Sequence, residues 1–147
     1  MIPKAPESLG HMALRIATDL IPKATDDYSG ADLGLMTVML SMVGQDFERF
    51  AELQVSEHDQ MCDLFRQALP HLNGALAERV TAELDAVHSS LLASSLNGRA
   101  DRTTRLLIDL HAHVEDRIDA DWACRLNLDI WSFLDLQARR RAYEVSF

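Results

Sequence analysis

Apolar positions recur along this chain at three- and four-residue spacing, the pattern of helices that bury one face. Leu9, Ala13, Ile16 and Leu20 form the first such stripe, which predicts a helix from about Pro6 to Leu20. Pro6 fits the first helical position and Glu7 suits the positive end of the helix dipole. Pro22 pushes Ile21 out of the helical region and ends the element. Thr25-Asp26-Asp27-Tyr28-Ser29 is a polar link, and Ser29 with Asp32 resembles a capping box with Asp in place of the usual Glu. A second helix is then predicted to about Leu69, where Pro70 stops it; it would hold roughly 40 residues and be about 60 Å long.

Pro70-His71-Leu72-Asn73-Gly74 reads as the next turn. A third helix follows to about Ser95, with Leu76, Val80, Leu84, Val87 and Leu91 on one face. Leu96-Asn97-Gly98 reads as its end, because Asn and Gly accept the left-handed cap conformation. Asp101 can cap a fourth helix from 102 to about 145, and Asp119-Ala120-Asp121 is where it would bend. The expected fold is all-α: one domain over residues 1–147, an antiparallel bundle of four helices, two long and two short. A compact four-helix bundle wants helices of similar length. The mismatch implies that the fourth helix breaks or that the long helices reach a second subunit.

Residues 33–43 strengthen the second option. From Leu33 to Val43 the segment is apolar or small on every side, and a helix without a polar face is one buried all round. In so small a chain such burial is easiest at a two-fold interface, so a homodimer is expected. Met36, Met39, Leu40, Met42 and Val43 are its candidate interface residues. Trp122 and Trp131, in a strongly apolar C-terminal half, are core side chains or interface anchors.

Composition limits the function classes. The chain of 147 residues carries 14 Lys and Arg against 23 Asp and Glu, a formal net charge of −9. That balance argues against nucleic acid, whose phosphates need a basic face. Arg139-Arg140-Arg141 reads as a helix end favoured by the dipole. The longest uncharged run, residues 33–45, falls short of the about twenty residues of a membrane span. The start of the chain has no apolar signal core behind basic residues. Cys62 and Cys124 form no C-x-x-C, which leaves two free thiols suited to a reducing cytoplasm. A cytoplasmic protein without nucleic-acid or membrane partners is expected.

Histidine carries the main alternative chemistry. His58, with Phe47, Ala51, Gln54, Cys62 and Phe65, lies on the seam of the second helix, where Gln54 and Glu57 are further polar interruptions. His88 flanks Leu84 and Leu91, with Asp85 three residues earlier; His111 lies on the stripe Leu107, Val114, Ile118, with Glu115 at i+4. Bundle metal sites are assembled from such inward ligands on facing helices, so His58, His88, His111 and Glu115 are candidate ligands of a transition metal ion. The competing reading is three core-edge histidines bonded to neighbouring carboxylates or carbonyls. His113 falls on an outer face with Asp109 and Asp116, a solvated charged face. Met36, Met39 and Met42 could offer thioethers to Cu(I), but they fan over about 120° and suit core filling better. His58 and Cys62 at i, i+4 could pair to activate a thiolate, against which stands their packed seam. Asp121, Arg125 and Asp129 are spaced to bridge along one helix. No phosphate-binding glycine loop or nucleophile elbow occurs. The expected function is therefore a non-catalytic, self-associating protein, without a cofactor, that binds a protein or small-ligand partner.

Overall fold

A computed structural model of the chain describes residues 4–87 and 90–144, and these are all-helical, without a strand. Where the pattern predicts four helices, the described residues form five: α1 (Ala5–Arg15), α2 (Asp27–Ala68), α3 (Gly74–Leu84), α4 (Ala93–Glu115) and α5 (Asp121–Arg140). None of them is long and apolar enough to cross a membrane. The chain divides into two compact units, Met1–Phe50 with Ala142–Phe147 and Ala51–Arg141, and the division falls within α2.

In the first unit α1 ends at Arg15 and passes into a π turn, Ile16–Leu20, and a 3-10 turn, Ile21–Lys23, that carries Pro22. Ile21 keeps helical angles (φ −55°, ψ −45°) instead of being pushed out of the helical region. The reason is that Pro22 sits in the first turn of the 3-10 segment, where its missing N–H is tolerated, and the chain becomes extended only at Ala24. The predicted capping box moves back three residues. Asp26, rather than Ser29, supplies the acceptor: its carboxylate takes the Ser29 backbone N–H at 2.8 Å and the Ser29 hydroxyl at 2.7 Å. Those bonds hold the Asp26 carboxyl below the usual carboxylate range, although it is fully exposed. α1 packs beside Gly44: a Cβ there would meet Leu9 Cβ at 3.7 Å, an ordinary van der Waals contact. Residues 142–144 return along α2: Arg49 donates to the Ala142 carbonyl, Gln45 exchanges two bonds with the Glu144 backbone, and the Tyr143 hydroxyl donates to Asp46. Among the described residues of this unit only Ala13 is buried.

The second unit holds the core. Met61, Leu64, Phe65 and Ala68 of α2 meet Val80 of α3, Leu106, Leu107, Leu110 and Val114 of α4, and Ala123, Leu126, Ile130 and Phe133 of α5. Gly74 starts α3 at φ +61°, the left-handed conformation that favours glycine. Glu57, an interruption in the apolar seam, is 2% exposed and is answered from the end of α5. Arg141 grips both carboxylate oxygens and Gln137 donates to Oε2 at 2.8 Å. The arginine run is thus more than a dipole partner: Arg139 pairs with Asp135 and Arg140 bonds Ser56.

Two predicted continuities fail. The third helix stops at Leu84 instead of Ser95, and Val87 and Leu91 are exposed rather than on a core face. Serines compete with the helical backbone for hydrogen bonds, and here Ser90 Oγ accepts the Leu92 N–H at 3.3 Å. Leu96-Asn97-Gly98, read as a helix end, lies inside α4, as does the proposed cap Asp101. The predicted long last helix breaks after Glu115 into α4 and α5, close to the predicted bend. Bonds from Arg117 N to Val114 O and from Ile118 N to Glu115 O tighten the chain into 3-10 geometry there. Ile118 therefore falls beyond the stripe it was assigned to.

Candidate functional site

The start of α2 presents an apolar face that nothing in its own unit covers. Leu35 is 57% exposed, Met36 45%, Met39 56%, Val43 51% and Phe47 63%. On a helix these five span roughly 120° of one side and about 18 Å of length. Asp46 lies within the same arc near the Phe47 end, and its carboxylate accepts the Tyr143 hydroxyl. Leu40 and Met42 are half-buried. The expectation that residues 33–43 are buried on every side is thus not met within one chain. Phe47, assigned with His58 to one seam, belongs to the uncovered stripe. Its i+4 spacing from Val43, and Val43's from Met39, carried that signal in the sequence.

The histidines settle into separate local arrangements. His58 Nε2 lies 3.5 Å from Cys62 Sγ, both residues buried on α2. His111, in its Nε2–H tautomer, donates to Asn127 Oδ1 at 2.9 Å, and the same nitrogen is 3.6 Å from Glu115 Oε1. Its ring stands edge-on to Trp131, centroids 5.6 Å apart. His88 lies outside the described residues. Among the described residues no three or more His, Cys, Asp or Glu side chains gather closely enough to hold a metal ion.

Trp122 is half-buried between two histidines that the pattern did not link to it. His71 stacks on its ring at 4.5 Å with planes 7° apart, and His113 is tilted 6.4 Å away. His113 is therefore not on a solvated face. Its Nε2 is buried without a partner among the described residues. Burial, helped by Arg117, holds its pKa below the ordinary histidine value, with Asp116 acting the other way. Trp131 is exposed on its outer side.

Comparisons with protein-family models, with curated proteins and with solved structures find no match to this chain. Chemistry must be read from the geometry alone.

That geometry is poor in activated groups. Burial pushes the Cys62 thiol up, outweighing the nearby Arg66. A thiol so placed stays protonated at neutral pH and is a weak nucleophile. The His58–Cys62 pair has the predicted proximity but not the lowered pKa that catalysis needs. Arg125 turns onto the Asp121 carbonyl at 3.1 Å rather than bridging two carboxylates. The most extensive feature with a functional reading is the apolar stripe of α2.

Proposed function

We propose that this chain is a non-catalytic, self-associating helical protein. The stripe Leu35, Met36, Met39, Val43 and Phe47 packs on the same stripe of a second copy about a two-fold axis. The pair completes an antiparallel helical bundle between protomers. The observation that carries this reading is an apolar helical face left uncovered in its own unit. Exposed apolar faces of that kind mark interaction sites. A second copy is the occupant favoured by charge: residues 33–45, which hold four of the five stripe residues, carry none, and Asp46 beside Phe47 is engaged by the Tyr143 hydroxyl, so two chains of net charge −9 meet there over a mostly uncharged contact. A two-fold contact uses one patch on both partners, which an uncharged stripe satisfies. Cys62 and Cys124 are both free thiols, which fits the cytoplasm as its compartment.

Sedimentation velocity across micromolar concentrations tests the reading. The expected result is a dimer whose dissociation constant rises roughly a hundredfold in Met39→Glu, because a carboxylate would be desolvated in an apolar contact. A monomer at every concentration, or an unchanged dimer in Met39→Glu, overturns it.

A further inference from the structure

We propose that the cavity at the start of α4, walled by Ser90, Ser94, Ser95, Arg99 and Arg102, binds a phosphate dianion, free or as a small phosphomonoester. The cavity measures about 390 Å³. α4 begins at Ala93 after an extended Leu92, with no side-chain cap and no acidic residue in its first turn. The first backbone N–H groups of a helix have no acceptor within it and sit at the positive end of its dipole, where anions are held.

Arg99 supplies an independent observation. It is only 7% exposed, and its Nη2 is buried with no hydrogen-bond partner among the described residues. A buried guanidinium without a counter-charge is strongly disfavoured, and an oxyanion answers it in the planar, two-donor geometry that guanidinium favours. Ser95, Arg99 and Arg102 follow at i, i+4 and i+7, so one side of α4 carries them all. Arg102 is steadied by the Gly98 carbonyl at 3.1 Å and by Glu83, whose Oε2 lies 3.7 Å from its Nε. That carboxylate offsets part of the Arg102 charge and leaves Arg99 as the main anchor. Arg105 follows on the same helix, so residues 93–108 hold three arginines against Asp101 alone in an otherwise acidic chain. Val87 adds an apolar wall against which the carbon portion of an ester can rest.

The test is a titration of the ¹⁵N-labelled full chain with inorganic phosphate and, separately, with glycerol phosphate, each against sodium chloride at equal ionic strength. Saturable shifts of the Ser94 and Ser95 amides and of Arg99 Nε–H are expected with phosphate and not with chloride. Tighter binding of glycerol phosphate assigns an ester as ligand, equal binding assigns free phosphate, and either upholds the site. Arg99→Gln should weaken binding roughly tenfold or more. Arg102→Gln, at an exposed position, should weaken it less, and Arg139→Gln on α5 should leave it unchanged. Absence of a saturable shift with both ligands, or wild-type binding by Arg99→Gln and Arg102→Gln, overturns the proposal.

Discussion

The two parts of α2 make opposite use of hydrophobicity. Its first part, residues 27–50, contains the most continuously apolar stretch of the chain and buries no side chain. Its second part, residues 51–68, is interrupted by Glu57, His58, Asp59, Gln60 and Asp63, yet buries seven residues, Glu57 and His58 among them. Supply of partners explains the difference. The second part meets three helices, α3, α4 and α5, in one core. The first shares its unit with α1, which has 11 residues, two short turns and a returning tail. An apolar side chain gains stability only from the area that something else covers, and so small a set of elements covers little.

Paired aromatic truncations probe that contrast most strongly. Phe65→Ala, at a fully buried site, should cost about 3–5 kcal/mol of unfolding free energy by denaturant titration. Phe47→Ala should change the stability of the dilute chain by less than about 0.5 kcal/mol while weakening self-association. Equal losses would mean that residues 27–50 are covered in the single chain after all. Next in size is Arg141→Ala, which leaves the buried Glu57 with Gln137 as its remaining α5 donor. A loss of about 2–3 kcal/mol is expected, below that of a fully buried pair because Arg141 is half-exposed. Arg139→Ala, on an exposed pair with Asp135, should cost under about 1 kcal/mol. A similar cost for both would show that the Glu57 bonds are not what fixes the end of α5.

Smaller effects follow from titration. Cys62 should label with a thiol reagent far more slowly than the exposed Cys124. Because its folded pKa is raised, its share of stability is complete below the ordinary thiol value and declines above about pH 8.5, where the unfolded chain ionises first. Cys62→Ala should flatten that decline in thermal melts. For His113 the folded pKa is depressed, so its contribution is present at neutral pH and falls away below about pH 6.5. His113→Gln should remove only that small acid-side slope, and an unchanged slope would place the titrating group elsewhere.

Local chemistry in the sequence determined the helical class, the end of α2 before Pro70 and the turn at Gly74. Each depends on a φ restriction, a missing N–H or a permitted left-handed backbone, properties a residue carries anywhere. Met36, Met39 and Val43 of the exposed stripe were legible in the apolar stretch and Phe47 in its i+4 spacing, whereas Leu35 needed the exposure pattern to join them. Tertiary structure alone decided the rest. It drew Leu96-Asn97-Gly98 into α4, set Trp122 against His71 and His113, and answered Glu57 with Arg141 from 84 residues away. Periodicity reports which side of a helix is apolar; whether another element arrives to cover that side depends on the path of the whole chain.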